Sequence, residues 1–600
     1  MAEQTDPRVL YPPRALRDYA FLGDGERGAL LGPDGDLAWM CAPAWDSDAV
    51  FATLIGGAGC YAVTPVGRFT WGGSYNPRSL IWTSRWVLTD GVVECRDALA
   101  LPADPHTAVV LRRIRVVEGS VRLRVVLDVR AGFGQQAMAA AADTGRGRTG
   151  GVWTGQSGPL AFRWWGASEA TRTGDGPLML TLNLLTAGDQ HDLCLEISDR
   201  PLPRRRRGIR PDQLWAATES GWRERAGVPA AGTLARRDAE QALATLTGLT
   251  SSVGGMAAAA TMSLPEHAGA GRNYDYRYAW IRDQCYAGRA AAAHGQLALL
   301  DTTVDFVAQR LLADGPDLRP TYTTRGGPVP AERALTHLAG YPGGTDRAGN
   351  QANHQFQLDT FGEALELFAL AAGHDRLDLD GWKAIQTAVD AITQRGHEPD
   401  AGIWELDDRR WAHSRLTCVG GLRAVAGHAP ARLARRYTDL ADALLADVTA
   451  DCVHPTGRWQ RSPDDPRVDA ALLLPALRGA LPPTDPRSRA TVAAVEADLV
   501  HDDYVYRFRL DGKPLGEAEG AFLLCGFLLA LARHSLGDPV GARALFERGR
   551  ASCGSPGLFA EEFDVDQRQL RGNLPQAFVH ALLLETAATL ATDPPSARKR

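Results

Sequence analysis

Two short segments place glutamates where acid–base chemistry could be done. In Pro399-Asp-Ala-Gly-Ile-Trp-Glu-Leu406, Glu405 follows Trp404 in a glycine-containing loop. In Gly557-Leu-Phe-Ala-Glu-Glu-Phe-Asp564, Glu561 and Glu562 stand between apolar residues. A carboxyl beside an indole loses solvation, which raises its pKa and suits a general acid. A second carboxylate left ionised can activate water. Taken singly, each glutamate is more often a surface or capping residue. A third segment, Arg272-Asn-Tyr-Asp-Tyr-Arg-Tyr-Ala-Trp-Ile-Arg-Asp283, interleaves four aromatics with three arginines and two aspartates just before an alanine-rich stretch. It reads equally as a polar loop capping a helix, with Asp283 at the helix N-terminus, or as a polyol-binding surface. In the second reading the Arg–Asp pair offers donors and acceptors to hydroxyls and the rings stack on a pyranose.

Other chemistry-bearing patterns are missing or fail on context. Gly23-Asp-Gly-Glu-Arg-Gly28 matches GxGxxG, but a dinucleotide site needs a strand before it and a helix starting within it. Here Ala29-Leu-Leu-Gly32 runs into the turn Pro33-Asp-Gly35 and then Leu37-Ala-Trp-Met40, a hairpin pattern, and Asp24 and Glu26 would repel a pyrophosphate. No GxSxG, P-loop, HExxH or paired-cysteine metal site occurs. His354, His413 and His580 lie singly and read as core or surface residues, not metal ligands. Nine cysteines without a CxxC pair read as reduced, mostly buried thiols.

The elements that must position these residues change character along the chain. Before residue 200, runs rich in Val, Ile, Leu and Trp recur at 80–88, 108–117 and 121–130. Turns at 89–91 and 118–120 follow the first two. Strands at this spacing without helical pattern predict an antiparallel sandwich. The arginine- and proline-rich 200–211 reads as a solvated linker. Beyond Asp212, Ala and Leu recur at helical spacing over 238–249, 285–300, 301–313, 356–372, 380–395, 432–449, 489–499, 520–536 and 575–590. This predicts an all-helical region whose long loops carry function. The composition, 45% hydrophobic and 23% charged, is that of a folded globular chain, and a net charge of −6 gives no field toward nucleic acid or anionic membrane. No basic-then-apolar leader opens the sequence. The longest apolar stretch, 521–532, falls short of the roughly 20 residues a membrane span needs. A soluble cytoplasmic protein is expected.

Taken together and in order, these blocks resemble glycoside hydrolase family 15, the glucoamylase-like and trehalase-like glucosidases. The resemblance runs nearly full length. It rests on Arg17-Asp-Tyr-Ala-Phe-Leu-Gly-Asp24 and Gly35–Ser47 at the start, then Asn273–Asp283, Gly349–Glu363, Gly402-Ile-Trp-Glu405, Glu519–Cys525, Gly557–Asp564 and Asn573-Leu-Pro-Gln-Ala-Phe-Val-His580. It implies a multidomain β + α chain: an N-terminal antiparallel β-sandwich (1–205), a linker with a helix (206–250), an (α/α)6 barrel (251–590) and a disordered tail (591–600). It implies Glu405 as general acid and Glu561 as general base, with Glu562 in a neighbouring polar position. It implies Arg282 and Asp283 on the hydroxyls of a non-reducing glucose, Tyr276 and Trp280 beside the ring, and Trp404 and Arg507 as further substrate-binding residues. The expected activity is inverting, exo-acting hydrolysis of trehalose or short α-gluco-oligosaccharides. The only expected partner is that carbohydrate, with no nucleic acid, membrane, metal or organic cofactor. Tyr274, Gln284, Cys285 and Leu406 depart from the family pattern, and no starch-binding module is appended, which weighs against long starch. The competing readings are a sugar-binding or regulatory protein without turnover, and a glucoside phosphorylase. A glutamate at position 561, where a phosphorylase keeps a phosphate site, disfavours the last.

Overall fold

The computed structural model describes residues 6–143, 152–203, 210–269, 271–510 and 513–594. The expected arginine run at 204–207 and most of the expected tail, 595–600, lie outside the described residues. Sixteen strands between Ala20 and Ser198 form two eight-stranded antiparallel sheets. The central strand Thr107–Gly119 pairs on one side with Gly91–Leu99 and on the other with Gln190–Ser198. Val121–Asp128, in the other sheet, lies between Cys60–Pro65 and Leu178–Leu184. Period-two patterning drives this arrangement: along Trp82–Val87 every second residue is buried. The buried faces of both sheets supply one core, with Met40, Tyr61, Val63 and Val125 from one and Trp86, Ile114, Trp164 and Leu195 from the other. Within it Arg112, fully buried, is held by Asp97 at 2.7 Å and by the carbonyls of Tyr61 and Gly35. The expected hairpin at 28–40 is present, pairing Leu30 with Trp39. Gly23 pairs with Gly28, so GxGxxG is a strand-to-strand turn and no helix starts in it.

The helical region follows the predicted runs with shifted ends. The 206–250 stretch, expected to carry a helix, carries two, Pro211–Arg225 and Arg236–Leu249. The expected boundary between 300 and 301 falls instead at His294–Gln296, where Gly295 takes φ +66°. Helix Ala412–Ala426 escaped the reading because Gly420 and Gly421 break its pattern. Those glycines serve close approach: a Cβ on Gly421 would lie 2.3 Å from the Gly362 carbonyl of the neighbouring helix.

Helices Ile281–Ala293, Asp359–Gly373, Ala412–Ala426, the short segment Ala470–Leu477, Leu523–Ser535 and Ala577–Thr589 each pack on the next, and the last returns to the first. Outside them lie Leu297–Asp314 and Leu379–Arg395, each against two inner members, and Ala431–Cys452, Pro486–Leu499, Pro539–Arg550 and Arg236–Leu249, each against one. Burial follows: Ala577–Thr589 is buried almost all round, whereas Ala431–Cys452 buries one stripe, Tyr437, Ala441, Leu444, Val448 and Cys452. The two regions share a core that joins Phe21, Trp39 and Trp45 to Trp215, Trp222, Leu246 and Met262. Eight of the nine cysteines are buried. Among the described residues no helix is long and apolar enough to cross a membrane.

Candidate active site

The segments that precede the inner helices converge on one pocket of about 380 Å³, a size that takes a small ligand. Tyr276 and Arg282 come from the entry to Ile281–Ala293, Glu405 from the loop before Ala412–Ala426, and Glu561 and Phe578 from the approach to Ala577–Thr589. The sheet region braces the first of these. Arg277, paired with Asp275 at 2.6 Å, donates to the Ser47 carbonyl at 2.6 Å, and the Trp39 indole N–H donates to the Ala260 carbonyl at 2.8 Å.

Glu405 closes a tight turn. Its N–H donates to the Gly402 carbonyl at 3.1 Å, Leu406 donates to Ala401, and Asp400 accepts from the Gly402 N–H at 2.7 Å. Glu405 itself takes φ +56°, a left-handed conformation that costs a non-glycine residue roughly 1–2 kcal/mol. The Trp280 indole N–H donates to its carboxyl at 2.6 Å, and the Arg282 guanidinium lies 3.9 Å away. Burial pushes the Glu405 carboxyl upward; Arg282 and the Trp280 hydrogen bond oppose it. The indole on Glu405 is therefore Trp280, not the adjacent Trp404 as the sequence suggested. Trp404 turns its N–H to Asp469 at 2.8 Å and packs edge-on to Phe522 in the pocket wall.

Glu561 sits 7% exposed at the start of the short hairpin Glu562–Asp564/Gln569–Arg571. Neighbouring residues on extended backbone face opposite ways. Glu561 accordingly lines the pocket while Glu562, fully buried, turns back and accepts from the Gly520 N–H at 2.7 Å. Two donors meet the Glu561 carboxyl, the Tyr276 hydroxyl at 3.0 Å and the Gln576 amide at 3.2 Å. Burial, then the neighbouring Glu266, pushes Glu561 well above the usual carboxylate range. Glu266 is itself pushed up to about 7 by burial. One oxygen each from Glu266, Glu561 and Glu562 lie within 4.8 Å of one another, a composition that could hold a cation. Each is already met by a protein donor, Glu266 by Arg272 at 2.7 Å. The Tyr276 hydrogen bond opposes the rise at Glu561, as the Arg272 pair opposes it at Glu266.

Of the residues expected at the site, Tyr276, Arg282, Trp404, Glu405, Arg507 and Glu561 line the pocket. Trp280, Asp283 and Glu562 lie behind its wall, 2%, 1% and 0% exposed. Asp283 is paired with Arg282 at 3.1 Å, and Arg507 is tied to Glu519 at 2.8 Å. Sequence reasoning missed Glu266, Arg272 and Gln576. Arg272 and Gln576 stand inside quoted blocks but carried no chemical signal of their own; Glu266, in an ordinary loop, carried none. His413 and His580 are buried and His354 exposed.

Residues 240–588 match the model of glycosyl hydrolases family 15, and residues 13–167 that of the trehalase-like N-terminal domain. A trehalase of Mycolicibacterium smegmatis is 30% identical over 96% of this chain and 90% of its own length. One of Mycobacterium tuberculosis is 30% identical over 96% and 89%. A bacterial glucoamylase crystallised with acarbose superposes with a TM-score of 0.71 at 12% identity, covering 96% of this chain and 94% of that one, which shows a shared fold. The chain belongs to glycosyl hydrolase family 15.

Proposed function

We propose that this protein is an inverting, exo-acting α-glucosidase whose substrate is trehalose, with short α-gluco-oligosaccharides as lesser substrates. The observation that carries the reading is the pairing of Glu405 and Glu561 in one pocket under different local control. Glu405, half-buried and held by Trp280, donates its proton to the departing glycosidic oxygen. Glu561, held by two donors, takes a proton from the water attacking the opposite face. That geometry asks for roughly 6.5–9.5 Å between the carboxyls and yields β-glucose. Arg282 and Asp283 act as one unit on the hydroxyls of the non-reducing glucose, Arg282 from the wall and Asp283 through it. Tyr276 supports both the ring and the base. Preference for trehalose is supported by the names of the two full-length relatives. In the same reading the sheets are a β-sandwich (1–205), the ring of inner and outer helices is an (α/α)6 barrel (251–590), and 206–250 links them. The nine thiols, without a CxxC pair, support a cytoplasmic address.

The test is hydrolysis of trehalose followed by NMR before mutarotation, with Glu561→Gln alongside. One β- and one α-glucose should appear per trehalose, and the variant should fold while losing on the order of 10²–10⁴-fold in kcat. Release of only α-glucose, or parental turnover by the variant, would overturn the roles.

A further inference from the structure

A second cavity, also of about 380 Å³, lies where the sheets meet the helices and shares no residue with the catalytic pocket. One wall is the end of strand Thr70–Tyr75 with the turn Asn76-Pro77-Arg78. Another is the first turns of Arg236–Leu249, and a third is Ser555–Gly557. Gln241 is only 9% exposed, yet its amide nitrogen has no hydrogen-bond partner. Buried donors are almost always paired; here the side chain that carries the unpaired one belongs to the cavity wall. Arg78 is held at φ +53° in a turn braced from both sides. The Asn76 N–H donates to the Ile81 carbonyl at 2.9 Å and the Ser79 hydroxyl donates to the Asn76 carbonyl at 2.9 Å. Arg237 donates once, to the Ser555 carbonyl at 3.0 Å.

Two carboxylates balance these donors. Asp238 is engaged through Oδ2 by Arg550 at 2.7 Å, and Glu240 through Oε1 by Arg236 at 3.1 Å, which leaves a second oxygen on each. The lining thus holds two guanidiniums, two carboxylates and the side-chain amides of Asn76 and Gln241, with no net charge among the lining residues. Sugar hydroxyls both donate and accept, so they match mixed donors and acceptors, whereas an anion would meet the carboxylates and a cation the guanidiniums. Tyr75 adds a ring fixed in place by its hydroxyl, which accepts from the Phe21 N–H at 2.6 Å. We propose that this cavity is a second carbohydrate site, taking an uncharged mono- or disaccharide independently of the catalytic pocket.

The test is equilibrium dialysis of the full chain, carrying Glu561→Gln to stop turnover, against labelled trehalose, with Gln241→Leu, Arg78→Ala and Arg282→Ala added singly. One bound equivalent should be lost with Gln241→Leu or Arg78→Ala and survive Arg282→Ala. A separate equivalent should be lost with Arg282→Ala alone, and failure there would count against the catalytic-pocket reading only. Arg78, in a surface turn, keeps the test valid if Gln241→Leu unfolds the helix. Binding unaffected by both cavity changes overturns the proposal. Displacement of the cavity equivalent by inorganic phosphate overturns the uncharged class.

Discussion

Gln576 offers the sharpest test of the base role proposed for Glu561. Its side chain caps helix Ala577–Thr589, the amide oxygen accepting from the Val579 N–H at 3.2 Å. That fixes which way the amide faces, so its nitrogen must donate to Glu561, at 3.2 Å. Gln576→Ser separates the two duties. Serine is among the best N-caps, but its hydroxyl is too short to reach Glu561. A hydrogen bond to a charged group contributes about 1.5–3 kcal/mol, and 3.2 Å is at the long end of the range, so the lower figure applies. At 1.36 kcal/mol per pH unit, that raises the Glu561 pKa by about one unit. The lost bond had favoured the carboxylate, and a base works only as carboxylate. The acidic limb of kcat/KM therefore moves to higher pH by about one unit, with about tenfold loss below the limb and rates on the plateau close to parental. Thermal melting should be unchanged or raised. A profile that superimposes on the parent, or a loss of equal size at every pH in a protein of unaltered melting, would refute the reasoning.

Glu405→Gln should lose on the order of 10²–10⁴-fold on trehalose yet keep far more activity on α-glucosyl fluoride, whose leaving group needs no proton; equal losses on both would sink the acid role. Trp280→Phe removes the 2.6 Å donor that favours ionised Glu405. The acid then holds its proton longer, and the alkaline limb of kcat/KM should move up by about one to two units. A limb that stays put or moves down contradicts the assignment. Arg112→Met leaves Asp97 charged and unpaired, each of the two at most 1% exposed. Stability should fall by about 3–5 kcal/mol, read as a lower denaturant midpoint; a loss under about 1 kcal/mol would mean the pair carries no such weight.

Where the pattern reports burial on one side only, the chain announced most of its elements, although Pro539–Arg550 lay outside the runs read as helical. The alternation in Trp82–Val87 and the stripe along Ala431–Cys452 arise because one face meets a core and the other meets solvent. Inner helices show less of that contrast, and Ile281–Ala293, Asp359–Gly373, Leu523–Ser535 and Ala577–Thr589 were read from their Ala and Leu content. Ala412–Ala426 is buried on nearly every side, so its periodicity vanishes, and its paired glycines look like a turn until the neighbouring helix is in place. Glu405, Glu561 and Arg282 were singled out by the ordered blocks that resemble the family; taken singly, each glutamate read more often as a surface or capping residue.

From sequence alone came the strand-then-helix order, the hairpin that follows GxGxxG at 29–40, and the residue types able to act as acid and base. Tertiary structure alone decided which neighbours those groups have. Trp280, 125 residues away in sequence, donates to Glu405 while adjacent Trp404 turns to Asp469. Backbone alternation sends Glu561 into the pocket and Glu562 to the Gly520 amide. Glu266 and Gln576 reach Glu561 from separate loops. The physical reason is that a residue's chemical type is local, whereas its protonation depends on desolvation and on charges and donors a few ångströms away. Those distances exist only once the helices have closed around the pocket.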